Sequence, residues 1–362
     1  MKLASKCATI CLLGILMTAS HAYSGIPTYS LVTTLTTNSC TSVDLSPDGK
    51  TILARDMIVA TEVEGYTTFD AQTYERKTWY PMGTMQAPWR GLFSADSDYF
   101  YATSYYGGAV KKIQLSTGTQ VASLSVGNWP NQMAFDSQRR FLYVEQGCPG
   151  TGVLGSLKVI DTANNSVVGT VSLNGEPSGS IVAPGDNFVY VESRTWSAHT
   201  LYKIQTSNLQ VTGTFSMTAT SVNDDRRFAL SPDGSTAYLP DPSGNGVHVV
   251  NTSSMTQTDL WTLPSVGGFF VSPDGTYALV TPLALSHTVR VFDLSSETVV
   301  QSLDVGVDLQ ANWAPYWDWP DRVLLPAGSN DGLAGVLVLT PEPATLSLLA
   351  LGGLAVIRRR RK

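Results

Sequence analysis

The tetrapeptide Ser231-Pro232-Asp233-Gly234 recurs as Ser272-Pro273-Asp274-Gly275 and as Ser46-Pro47-Asp48-Gly49. Each copy suits a tight turn. The serine hydroxyl can bond the backbone two residues on, proline presets φ at about −65°, and glycine accepts a left-handed conformation at little cost. Apolar residues flank the turn: Phe269, Phe270 and Val271 before it, Ala278, Leu279 and Val280 after it. That is the pattern of a β-hairpin, and a hairpin repeated along a chain is an architecture.

Weaker copies appear in the same frame, marked by a tyrosine or aliphatic residue seven positions after the first turn residue. Ser94 leads to Tyr101, Asp136 to Tyr143, Ala183 to Tyr190, and a degenerate seventh copy runs from Trp317 to Leu324. The starts at 46, 94, 136, 183, 231, 272 and 317 are 41 to 48 residues apart. That period matches four short strands and their turns, one propeller blade. An alternating outer strand ends each repeat, as in 120–126, 167–173 and 299–305, and a third strand before it ends on Asp or Asn, as in 157–161, 247–251 and 289–293. The first alternating segment, 29–36, has no blade before it, and the last repeat has no outer strand after 333–340. The two lacks cancel if the ring closes. The expected fold is all-β: a seven-bladed β-propeller of four-stranded antiparallel blades, with the N-terminal strand completing the last blade and removing an exposed edge.

The bulk numbers agree. The 362 residues are rich in Gly, Ser and Thr, with 9% aromatic and 14% charged residues and a net charge of −6. Positive residues concentrate at the ends; between 23 and 340 there are 16 Lys and Arg against 28 Asp and Glu, about −12. Such a body does not suit a nucleic-acid backbone. Residues 1–22 read as a secretory signal peptide, with Lys2 and Lys6, an apolar run from Ile10 to Met17, and a Ser20-His21-Ala22 cleavage site. Cys40 and Cys148 remain in the exported part, where a disulfide is permitted; two unpaired small hydrophobes is the plainer reading. The propeller occupies 23–340.

Two resemblances follow from these residues. The blocks 155–171 (Gly-Ser-Leu-Lys-Val-Ile-Asp-Thr-Ala-Asn-Asn-Ser-Val-Val-Gly-Thr-Val) and 228–239 (Phe-Ala-Leu-Ser-Pro-Asp-Gly-Ser-Thr-Ala-Tyr-Leu) resemble the YVTN family of seven-bladed propellers. That resemblance implies surface or periplasmic proteins of varied role and no shared catalytic motif. Residues 341–362 resemble the PEP-CTERM sorting signal: Pro341-Glu342-Pro343, an apolar run over 344–357, and the basic cluster Arg358, Arg359, Arg360, Arg361 and Lys362. It implies an exosortase-type processing enzyme as partner, passage across the inner membrane, a transient anchor through 344–357, then the cell surface or extracellular space.

Candidate chemistry gathers on the face carrying the loops before each first strand and after each second strand. Trp89, Arg90, Trp129, Asn131, Trp313 and Tyr316 lie before first strands; Tyr105, Tyr106 and Trp196 follow second strands. Aromatic faces beside hydrogen-bonding groups suit sugar rings, so an exopolysaccharide is a candidate partner, as is another envelope protein; the same tryptophans also suit packing between blades. Asp224, Asp225, Arg194 and His199 are the polar candidates for a lactonase-like hydrolase on the same scaffold. His199 and His287 share a repeat position, which Asn245 takes in the fifth repeat. The loops 241–246 and 328–332 offer oxygens to calcium without EF-hand spacing; no other cofactor is expected. Phosphate-binding Gly-Lys loops, Gly-x-Ser-x-Gly elbows, His-Glu-x-x-His and mature Cys-x-x-Cys are lacking. The expected function is a binding or scaffold module of the cell envelope or extracellular polysaccharide matrix, with a hydrolase or a purely structural matrix protein as alternatives.

Overall fold

A computed structural model describes residues 28–341 except 39, 59–60, 85, 148–153, 220–226, 284–285, 310–315, 319–321 and 329–333. The expected leader, the apolar run and the basic tail lie outside the described residues, as does Cys148. Strands build seven antiparallel sheets of four, each one blade. Blade one, from inside to outside, is Val43–Leu45, Thr51–Ile58, Val63–Asp70 and Arg76–Thr84. Blades two to six follow the same order and begin at Gly91, Pro130, Glu176, Ala229 and Gly268. Blade seven is Tyr316–Asp318, Arg322–Gly328, Ala334–Pro341 and, outermost, Tyr29–Thr37. Tyr29 faces Pro341 and Thr37 faces Ala334, so the N-terminal strand closes the ring as expected.

The turn residues work differently in detail from a simple serine-to-backbone bond. Ser46 Oγ donates to Asp48 Oδ1 at 2.6 Å and accepts the amide of Thr51, five residues on, at 2.9 Å. Ser231 repeats this with Asp233 (2.6 Å) and the Thr236 amide (3.0 Å), and Ser272 accepts the Tyr277 amide at 3.0 Å. A hydroxyl both donates and accepts, so one side chain ties the turn to the start of the returning strand. The fourth turn residue is left-handed at Gly49, Gly234 and Gly275 (φ 71°, 72° and 71°) and also at Ser97, Arg139 and Asp186, where the weaker copies lack glycine. The seventh hairpin departs from the frame. Trp317, placed by the repeat at the turn, lies within the inner strand and faces Val323. Residues 319–321 separate its two strands, where 46–50 do so in blade one.

Each strand alternates, so each blade buries both faces against its neighbours. Seven apolar clusters fill the seven gaps between blades. One joins Tyr277, Leu279 and Val289 of blade six to Leu325, Leu337 and Tyr29 of blade seven. Another joins Leu324, Val336 and Leu35 of blade seven to Val43, Ile52 and Cys40 beside blade one. Burial there pushes the Cys40 thiol up to about 12, and Cys40 behaves as a small hydrophobe.

Acid should loosen this fold at its turns. Hydrogen bonds from Ser231 and Ser235 hold Asp233 at about 2. Ser46, Asn164 and Ser295 likewise hold Asp48, Asp161 and Asp293 below the ordinary value of 3.8. A carboxyl lowered on folding adds stability that is present above its unfolded value and lost as pH falls through the folded one. The melting temperature should therefore drop between pH 3.8 and about 2. Asp233→Asn should flatten that segment of the profile; an unchanged profile would show that this turn carries no acid dependence.

Candidate functional site

Loops before first strands and after second strands meet on one face. Trp129 donates its amide to Tyr105 O at 3.2 Å, and Gly147 donates to Trp129 O at 2.9 Å, linking loops of blades two and three. Trp89, Tyr105 and Tyr106 form a chain of edge-to-face rings with centroids 6.3 and 5.1 Å apart. The Arg55 guanidinium lies 5.8 Å from the Trp89 ring and pairs with Glu64 at 2.8 Å. Glu64 in turn accepts the Ala87 amide. Among the described residues the Trp89 indole N–H, a buried donor, has no hydrogen-bond partner. Tyr106 is 64% exposed, and so is 56% of Trp196, on the corresponding loop of blade four. Part of the aromatic set therefore converges and part is spread round the rim. Asn131 lies in the inner strand of blade three. Trp313 lies outside the described residues, and Tyr316 begins the inner strand of blade seven.

Arg90 departs from the rim. It lines a central cavity of about 210 Å³ with Gln132, Met133, Gly179, Ser180, Ile181, Arg227, Phe228 and Phe270. Five blades contribute to that cavity, so it lies on the ring axis. Arg227 donates to Ser178 O, and the Arg90 Nη1 reaches Val43 O at 3.5 Å. Asp44 is buried beside them; it accepts the Phe93 amide at 2.8 Å and lies 3.6 Å from Arg139. Burial pushes the Asp44 carboxyl up, while Arg139 and Arg90 pull it back. Burial lowers the pKa of Arg90; Asp44 opposes that shift, and Arg227 and Arg139 add to it.

The polar candidates divide as well. Arg194 and His199 face one another across the second and third strands of blade four, and both are buried. His199 Nδ1 lies 3.0 Å from Glu192 Oε1, and both side chains are almost fully buried. Asp224 and Asp225 lie outside the described residues, so the proposed set is seen only in part. His287 takes the same second position in its strand as His199. His248 bonds Asp241 at 2.8 Å and Gln257 at 2.7 Å. In the 241–246 loop, the other Asp241 oxygen accepts the Ser243 amide at 2.8 Å. Residues 329–333 of the second acidic loop are outside the described residues. Among the described residues no group of three or more His, Cys, Asp or Glu converges.

Sequence reading passed over Arg227, Gln132, Ser180, Phe228, Phe270 and Glu192. A signal for the cavity existed. Counting four residues back from turn starts 94, 136, 183 and 231 reaches Arg90, Gln132, Gly179 and Arg227, all on the cavity wall. Equivalent positions on a ring converge, but that count has meaning only once the inner strand is known to line the axis. Glu192 left no signal, because an acidic residue within an alternating strand reads as solvent-facing.

The Glu192–His199 pair should act as a structural tie. His199→Ala would leave the carboxylate of Glu192 buried and should cost about 3 kcal/mol, read by urea unfolding. His199→Gln, which keeps a hydrogen-bonding group, should recover part of that loss. Equal stability of all three proteins would show that the pair ties nothing.

Comparisons with known proteins bear on both ends of this picture. Residues 339–362 match the model of the PEP-CTERM protein-sorting motif. No curated protein sequence matches the chain. Among solved structures, hydrazine synthase of Kuenenia stuttgartiensis is similar in fold, with a TM-score of 0.65 over 89% of this chain and 98% of that one. At 15% identity that likeness concerns the fold alone. The chain is thus a seven-bladed propeller with a C-terminal PEP-CTERM sorting motif, a motif that marks proteins for export and surface sorting.

Proposed function

We propose that this protein is a surface-sorted binding or scaffold module that engages extracellular polysaccharide through its loop face. The match of 339–362 to the sorting motif carries the reading, because that motif marks proteins for export and surface sorting, and a surface protein would meet such polymers. The motif begins inside the fold. Leu339, Thr340 and Pro341 belong to the third strand of blade seven, and Pro341 stands opposite Tyr29. Proline cannot donate to a ladder, so a strand end suits it. The processing enzyme would act on the sequence that follows Pro341, with the apolar run 344–357 as the transient anchor. The repeats are read as YVTN-type.

The loop face supports the ligand class. Exposed Tyr106 and Trp196 offer flat apolar surfaces, and the Trp89 N–H offers a donor beside the ring chain. Sugar rings present apolar C–H faces and polar edges, and such surfaces match them. A hydrolase reading has less behind it, since Arg194 and His199 are buried in blade four. Calcium stays a proposal for 328–332 alone, because the Asp241 oxygens are already engaged.

Removal of residues 341–362 should release the protein from the producing cells or leave it unprocessed, as read by fractionation and immunoblotting. Unchanged surface retention would defeat the sorting reading. The pair Tyr106→Ala and Trp196→Ala, both exposed and so of little consequence for the fold, should weaken binding to the producer's exopolysaccharide by about tenfold, roughly one to two stacking contacts. Binding equal to that of the parent would remove the loop face as the site.

A further inference from the structure

The axial cavity is chemically unlike the rim. Two guanidiniums, Arg90 and Arg227, share its wall with the hydroxyl of Ser180, the amide of Gln132 and the apolar surfaces of Phe228 and Phe270. Arg90 is poorly satisfied: its guanidinium makes one long hydrogen bond, 3.5 Å to Val43 O, among the described residues. The nearby carboxylate, Asp44, is engaged by the Phe93 amide and by Arg139. Ser180 Oγ is buried and has no partner among the described residues. Arg227 is held in place by its bond to Ser178 O, across the bare Gly179, where a Cβ would come within 3.3 Å of the guanidinium. Arg227 lies close enough for its charge to act on Arg90, and an anion placed between two guanidiniums relieves their repulsion.

We propose that this cavity binds a small organic carboxylate, its oxygens held by Arg90 and Arg227 and its carbon body resting on Phe228 and Phe270. Several observations converge on that class. A guanidinium fork matches two carboxylate oxygens. The Ser180 hydroxyl and the Gln132 amide can donate to the same head or to a hydroxyl on the ligand. Four apolar side chains on the wall (Met133, Ile181, Phe228 and Phe270) favour a ligand with a carbon body over a bare inorganic anion. The volume of about 210 Å³ is below the range of about 300–1,000 Å³ usual for drug-sized ligands, so the ligand is of monosaccharide or single-ring size. This site lies on the axis and goes beyond the polysaccharide reading, which concerns the rim.

Calorimetric titration of the full-length chain in detergent at low salt tests the assignment. Benzoate and glucuronate are the charged probes, benzamide and glucose their neutral counterparts, and sulfate the bare anion. At least one carboxylate should bind saturably and about tenfold more tightly than its neutral counterpart, the margin expected of a charge-assisted pair. Arg90→Met should weaken that binding by about tenfold with the cooperative melt retained. Gln132→Glu, which places a carboxylate in the cavity, should abolish binding and raise the melting temperature. The Tyr106 and Trp196 substitutions should leave it unchanged, which separates this site from the rim. Equal binding of charged and neutral probes, or no saturable binding by either carboxylate, overturns the proposal. So does binding of sulfate as tight as that of the organic acids, or full retention of binding in a folded Arg90→Met variant.

Discussion

The pairing of Tyr29–Thr37 with Ala334–Pro341 is the contact on which the ring depends. An open array of blades would end in an unpaired strand and in an apolar blade face turned to water. Closure removes both at once. Leu31 of the first strand packs in the cluster between blades six and seven, and Leu35 joins Val336, Val338 and Leu324 in the cluster that meets blade one. A side-chain clamp reinforces the joint. Gln301, on the outer strand of blade six, accepts the Tyr29 amide at 2.8 Å and donates to the Tyr29 carbonyl at 2.7 Å. One amide group thus fixes the first residue of the ring to a blade that is 272 positions away in sequence.

Closure also sets the relation between fold and sorting. The motif match starts at Leu339, in the strand that the N-terminal segment pins. The start of the ring and the start of the sorting segment are therefore neighbours on the outer edge of blade seven. A cut beyond Pro341 would leave every ladder of that blade intact. The same closure leaves the axis as the one place toward which inner strands of all blades point, and there the molecule concentrates arginine. A body carrying about −12 overall thus holds Arg90, Arg139 and Arg227 around a single described carboxylate, Asp44.

Legibility in the sequence varied with the range of the interaction. The turns were legible because their chemistry is local: Ser, Pro, Asp and Gly each act within five residues of one another. Even there the serine-to-amide bond across the hairpin had to be seen, and the seventh turn slipped because Trp317 imitates the frame without its turn residues. On the rim, Trp89, Tyr105 and Tyr106 were recognisable as loop aromatics and do meet. Arg90 was grouped with them because it adjoins Trp89 in sequence, yet one residue along an extended chain reverses direction, and its side chain turns to the axis. Arg194 and His199 read as polar candidates of the loop face and are buried, since strand ends in the middle of a blade are covered by the neighbouring blades.

The sequence by itself determined the class of fold, the blade count, the closing strand and the sorting segment. Each of these is written in turn chemistry, period or terminal composition, which need no knowledge of distant partners. Only the tertiary structure decided which polar residues share a space. Arg90, Gln132, Gly179 and Arg227 come from four blades and meet because a ring maps equal positions in successive repeats onto one axis, and Ser180 joins them from beside Gly179. Glu192 and His199 meet because two strands of one blade place them side by side away from water. Convergence and burial are properties of the closed ring, and no stretch of the chain carries them alone.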